Sequence, residues 1–262
     1  MEDEPLWRMT IFIAVFVGMT LIELAFPHHP DSAKARRWAN NLTLFLCGML
    51  VVRLVLPLGA VGFAAYASSQ RWGLFSALEW PEWLEAIVVI VVFDFMIWGQ
   101  HVAFHRIGWL WLLHRVHHAD EALDITTGLR FHPFEIGLSL AIKLAAIFLL
   151  GPSAWAVFVF EVALNAGAMI SHANWKLPKS LDHALRLVFV TPGMHRVHHA
   201  ENEHDTASNF GFNLAIWDRV FGTYKPEPVA GDADMRFGVA GYMDQDEKRI
   251  DRLLTQPFRR KT

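Results

Sequence analysis

Five apolar stretches approach or reach the length of a bilayer crossing: Leu6–Phe26, Leu42–Tyr66, Leu84–Trp98, Phe134–Leu150 and Ser153–Ile170. A helix needs roughly 20 apolar residues to cross the hydrocarbon core, where every backbone N–H and C=O must be satisfied within the protein. The third stretch is long enough only if its helix continues through Gln100 and His101. The fourth carries Lys143, an ammonium that must either snorkel or pack against the bundle. The expected fold is all-α: a polytopic transmembrane bundle of four or five spans. The composition, 53% hydrophobic and 19% charged, agrees with a membrane protein.

The leading MEDEPLW is acidic where a secretory signal would be basic, and no small-residue cleavage motif follows. The first stretch therefore reads as a retained membrane helix. Between the first two stretches lies PHHPDSAKARRWANN, in which Lys34, Arg36 and Arg37 outweigh Asp31, so the positive-inside rule places this loop in the cytoplasm. Counting crossings from there, with a hairpin turn at Gly151-Pro152, puts every multi-histidine segment on the cytoplasmic side. The expectation is an integral protein of a bacterial inner membrane whose histidine-rich helical cap faces the cytoplasm. Turn signals (LPK, TPG, FGTYKPEP) divide residues 175–262, and mixed charge at 244–254 predicts a short amphipathic helix. Residues 1–262 read as a single domain without a linker.

A net charge of −3 with no basic stripe or phosphate-binding loop excludes a nucleic-acid partner. Cys47, the only cysteine, permits neither an internal disulfide nor a cysteine-based metal knot, so metal chemistry must come from the 14 histidines and the carboxylates.

The string HRVHHA occurs twice, at 114–119 and 195–200. Its histidines fall at i, i+3 and i+4, one face of a helix, and His101 and His105 in HVAFH share a face one turn apart. His114, His117 and His118, with His195, His198, His199 and the HVAFH pair, supply more nitrogens than one ion uses, which points to two ions. Asp94, at i−7 from His101, lies on the same stripe, where its carboxylate is expected to hold an imidazole ring. Glu161, Asn165 and His172 follow a comparable pattern and would bring a further ligand. His132 precedes Pro133 and Glu135, a helix-start pattern that suits capping or support of a ligand. Asn209, in SNFGFN, is expected either to position the last box through its amide or to serve as a turn residue. His28, His29, His183 and His204 have no partner spacing and read as solvated. Imidazole suits zinc, copper, iron and nickel alike, so spacing does not choose the metal.

The segments FDFMIWGQHVAFH, LWLLHRVHH, TTGLRFHPFE, SHANWKLP, TPGMHRVHH and SNFGFNLAIWDRVFGTY together resemble the fatty acid hydroxylase superfamily, the sterol desaturase-like membrane enzymes, over residues 90–225. The resemblance implies a non-heme di-iron oxygenase that uses O2 and electrons from an external donor to hydroxylate or desaturate a lipid. It implies that His101, His105, His114, His117, His118, His195, His198 and His199 are ligands, with His172 matching a further family histidine. Val102 and Leu112 depart from the pattern, where many members carry arginine. The chain shows no flavin or nicotinamide fingerprint and no iron-sulfur cysteines, so a reductase, ferredoxin or cytochrome partner is implied. Two other classes remain open: a histidine-rich metal transporter or storage protein, and a metal-dependent membrane hydrolase using Glu135 or Glu161 as base. A transporter would hold its ligands near the bilayer midplane on broken helices, whereas these boxes sit at helix ends.

Overall fold

The computed structural model describes residues 3–29, 34–78, 80–231 and 235–259. Asp31, in the basic loop, lies outside the described residues.

Helix α1 (Glu4–Ala25) is followed by α2 (Lys34–Val55), α3 (Gly59–Ser69), α4 (Glu82–Arg106), α5 (Gly108–His118), α6 (Pro133–Leu150) and α7 (Ala154–His172). Among the described residues, five segments are long and apolar enough to cross a membrane: α1, α2 with α3, α4, α6 and α7. As expected from the sequence, α4 runs through Gln100 and His101. The second apolar stretch was expected to be continuous over Leu42–Tyr66, but it is interrupted at residues 56–58. Pro57 has no N–H to donate and disfavours helical geometry in the residue before it. Gly59 then takes a positive φ of 65° to restart the chain as α3.

Helix α6 starts as the sequence pattern indicated. Pro133 opens it, and the His132 ring accepts the Phe134 N–H at 3.2 Å. It ends at Gly151, whose φ of 63° and close approach to the Trp72 carbonyl leave no room for a Cβ. Ser153 then caps α7 by accepting the Ala156 N–H. Among the described residues, five short helices lie beyond the bundle: α8 (Lys179–Leu185), α9 (Pro192–His198), α10 (Glu203–Thr206), α11 (Ile216–Val220) and α12 (Ile250–Thr255). The short helix expected at 244–254 corresponds to a 3-10 turn at Gln245–Lys248 followed by α12. Among the described residues there is no strand, only isolated bridges such as Phe189 with Leu214.

Helix α7 is central, packing against α1, α3 and α4, while α2 packs against α6. Val89, Phe93 and Ile97 of α4 meet Val157 and Phe160 of α7 in the main core, where the Phe93 and Phe160 rings stand edge to face at 5.1 Å. Lys143 does not snorkel. Its ammonium pairs with Glu161, and Arg8 lies 3.6 Å from the other Glu161 oxygen, which ties α1, α6 and α7 together.

Near the other end of these helices a buried polar network fastens the loop after α5 to α2. Arg37 donates to both oxygens of Asp120 at 2.6 and 2.8 Å and to Asp124 at 2.9 Å. Asn41 donates to Asp120 and Thr126 and accepts from Arg130 at 2.7 Å. Burial works to raise the Asp120 pKa, but the Arg37 and Arg130 guanidinium groups bring it down to about 2. Replacing Arg37 by Leu leaves two buried carboxylates without their main counter-charge. A loss of about 3–5 kcal/mol is expected for breaking such a buried pair, to be read as a fall in the thermal unfolding midpoint in detergent.

Candidate metal centre

Nine histidines converge where α4, α5, α7 and α9 end. They form two groups, each with its ligand atoms within 4.8 Å of one another: His101, His105, His114, His118 and His198 in one, His117, His172, His195 and His199 in the other. All nine are the histidines singled out from the sequence. The HVAFH pair sits in the last turns of α4 and serves the first group. Each HRVHH box divides between the two. On α5, His114 and His118, one turn apart, enter the first group and His117 the second. On α9 the split is reversed, with His198 in the first group and His195 and His199 in the second. His172, the last residue of α7, completes the second group. The groups adjoin, since the His118 and His199 rings stack at 4.3 Å.

Outward-facing hydrogen bonds orient five of these rings. The Nδ1–H groups of His101, His117, His172 and His198 donate to the carbonyls of Phe210 (2.8 Å), Arg130 (3.0 Å), Ala168 (2.7 Å) and Ser208 (2.7 Å). The fifth, His114, directs its Nδ1 to Glu135 at 2.7 Å. A carbonyl only accepts, so each ring it holds carries its proton on Nδ1 and presents a bare Nε2 inward.

The consequence is electrostatic. The Nε2 atoms of His101 and His114 face each other at 3.0 Å, and those of His117 and His172 at 3.1 Å, lone pair against lone pair. His195 and His199 bring their Nε2 atoms to 3.0 and 3.1 Å from the same His172 nitrogen. The Nε2 atoms of His105, His118 and His198 are buried with no hydrogen-bond partner. This donor set fits bound cations.

Burial drives His117, His118, His195 and His199 well below the usual imidazole range, and the neighbouring imidazoles push them further. Burial takes His198 to about 3, partly offset by the Ser208 carbonyl. These rings are therefore neutral at pH 7, the form that binds metal.

The remaining sequence candidates have other partners. The Asp94 carboxylate does not hold the His101 ring as expected; the Phe210 carbonyl does. Asp94 instead accepts from the Asn213 backbone and side chain, the Leu214 N–H and the Trp217 indole. Being one face of a helix apart was not enough, because the chain at 213–217 reaches that carboxylate first. His132 caps α6 and meets the Leu254 carbonyl at 3.1 Å, outside both histidine groups. Asn209 combines its two expected roles. It occupies a left-handed turn position (φ 52°), and its amide donates to Met194 of α9 and to Lys225 while accepting the Lys225 N–H. Of the α7 pattern only His172 reaches the centre: Glu161 pairs with Lys143, and the Asn165 amide donates to the Glu161 carbonyl.

Sequence reasoning missed two supporting residues. Glu135 is read from the sequence as part of the helix-start pattern and as a candidate hydrolytic base, not as a partner of His114, although its place three residues after His132 puts it in the first turn of α6, within reach of that ring. Asp218, in the WDRVFGTY segment, accepts from Phe210 N–H (2.9 Å), Gly211 N–H (2.7 Å) and the Trp98 indole (3.1 Å). It thus fixes the carbonyl that orients His101.

The family model for fatty acid hydroxylase matches residues 86–223, just over half of the 262 residues and containing all nine histidines. The chain belongs to the fatty acid hydroxylase family. Relatives within this superfamily include an ornithine lipid hydroxylase of Rhizobium tropici, 26% identical over 98% of this chain and 77% of its own length. They also include alkylglycerol monooxygenases of Danio rerio (29% identical, 81% of this chain) and Caenorhabditis elegans (30% identical, 86% of this chain). The chain spans 46% and 44% of those two proteins' lengths. No solved structure matches it.

Two outcomes test how this family member builds its site. Glu135→Leu removes the acceptor behind His114 and is expected to weaken metal binding about 10–100-fold, with Glu135→Gln losing less because an acceptor remains. Competition with a calibrated chelator measures both. For the metal-free protein, His117, His118, His195, His198 and His199 have folded pKa values below their unfolded value of about 6.5. The unfolded state therefore binds more protons in that window, and stability is lost as pH falls below about 6.5. A thermal midpoint that stays level between pH 7.5 and 5 after chelation would contradict this.

Proposed function

We propose that this chain is a membrane-bound di-iron oxygenase that hydroxylates a C–H bond of a lipid, using O2 and an external electron donor. The observation that carries the reading is the pair of adjoining all-imidazole groups whose bare, buried nitrogens face one another. His101, His105, His114, His118 and His198 would hold one ion and His117, His172, His195 and His199 the other. Iron bound there would supply the activation of O2. Overall, one oxygen atom enters the C–H bond as C–OH and the other leaves as water, with two electrons from the donor and two protons from solvent.

The chain's own residues do the rest. The Phe210, Arg130, Ala168 and Ser208 carbonyls and Glu135 hold the rings against rotation, and burial keeps water and protons from the inward nitrogens. The relatives named as a lipid hydroxylase and as monooxygenases support hydroxylation over desaturation and a lipid as substrate. One cysteine and the lack of a dinucleotide fingerprint support a separate reductase, ferredoxin or cytochrome partner. Lys34, Arg36 and Arg37 at the start of α2 support a site facing the cytoplasm.

Other classes fit less well. Glu161 is held by Lys143 and Arg8, and Glu135 faces the outer nitrogen of His114, so neither stands free as a hydrolytic base. The histidines lie at the ends of α4 and α7 rather than on helices broken at mid-membrane, as a transporter would need.

The test is metal analysis with Mössbauer spectroscopy on protein grown with iron-57. About two irons per chain as a coupled pair are expected, and His172→Ala should retain about one, because it removes the nitrogen on which the second group converges. Lipid product formed with a reductase should carry oxygen from labelled O2. Zinc alone after anaerobic iron loading, or label entering only from water, would overturn the proposal.

A further inference from the structure

Outside the long helices the chain displays an apolar surface that the metal chemistry does not use. Leu187, Val188 and Phe189 follow one another with 66%, 51% and 53% of their surface exposed, and Val220 and Phe221 on and after α11 are 65% and 52% exposed. Three consecutive exposed apolar residues are unfavourable in water. The two segments are joined: Val190 N–H donates to the Asn213 carbonyl and Ala215 N–H to the Val188 carbonyl, with Phe189 bridged to Leu214.

Two observations give the depth of this surface. Phe221 stacks on Phe95 and Trp98 at 5.7 and 4.5 Å, and the Trp217 ring lies 4.9 Å from Phe95. Phe95 and Trp98 form the last turn of the apolar run of α4, so whatever stacks on them lies at the same level in the bilayer. Asp94, in the same turn, accepts the N–H groups of Asn213 and Leu214, which draws the non-helical chain down beside α4. The second observation is the backbone itself. The N–H groups of Leu187, Val188, Phe189, Val190, Phe210, Gly211, Asn213, Leu214 and Ala215 all donate to protein acceptors. Such pairing lowers the cost of placing non-helical chain at the boundary between headgroups and acyl chains.

We propose that residues 187–190 and 210–221 form an interfacial element seated in the leaflet that holds the histidine ends of α4 and α7, with Leu187, Val188, Phe189, Val220 and Phe221 against acyl chains. The surface is continuous with the lipid-facing side of α4 through the Phe95, Trp98 and Phe221 stack, and that continuity identifies lipid as its occupant. The element lies beside the metal centre, since Asp218 at its inner side fixes Phe210 and, through its carbonyl, His101. This inference is independent of the metal's identity and of the reaction.

The experiment places a nitroxide label on Val188→Cys and, separately, Val220→Cys in a Cys47→Ser background, with Glu203→Cys on exposed α10 as the aqueous reference. In vesicles of phosphatidylcholine and phosphatidylglycerol, power-saturation EPR compares collisions with oxygen and with a water-soluble nickel chelate. A ratio of oxygen to nickel collisions raised severalfold over the Glu203 label, at both sites, is expected. A ratio equal to that of Glu203 would overturn the proposal by placing the surface in water. Protection from both reagents would also overturn it, by showing a protein cover in place of lipid.

Discussion

Imidazole nitrogens crowded together without protons to share are the constraint on which this structure turns. A neutral imidazole has one N–H, and in the rings of His101, His117, His172 and His198 that proton points outward to a backbone carbonyl. The inward nitrogens then meet as lone pairs at about hydrogen-bond distance with nothing between them to bond. Bound cations would resolve that repulsion, and burial prevents protons from doing so, because charging a ring away from water is costly. The same groups that hold the rings therefore set both their orientation and their protonation.

The outward bonds explain why so much of the chain beyond the histidines is committed to short, polar tethers. Arg130 presents its carbonyl to His117 while its own side chain holds the Val116 carbonyl and Asn41. Asn41 and Arg37, through Asp120 and Asp124, connect that point to α2. On the opposite side Asp218 gathers Phe210, Gly211 and Trp98, and Asn209 ties α9 to the chain at Lys225. Each tether is a buried polar group with its partners supplied, the condition under which such groups rigidify rather than destabilise.

The long helices bring this assembly to the edge of an apolar bundle. Their polar residues are satisfied in place: Lys143 pairs with Glu161, and Asp94 accepts hydrogen bonds from four donors of the 213–217 segment. The apolar bundle thus ends at a buried cluster of imidazoles held by fixed polar partners.

The sequence by itself determined the helical class, the run of α4 through His101 and all nine histidines. Helical periodicity and bilayer length are local properties, readable without knowing what packs against what. It also placed His132 as the start of α6, because a proline at the first helical position acts within one turn. What it did not determine is who meets whom. The division of each HRVHH box between two groups depends on how α5 packs against α4 and α9 against α7. The exchange of Asp94 from His101 to residues 213–217, and the approach of the Phe210 carbonyl to His101, depend on contacts more than 100 residues apart in the chain, although Asp218 holds Phe210 from only eight residues away. A carboxylate satisfies whichever donors the fold brings nearest, and only the tertiary structure decides which those are.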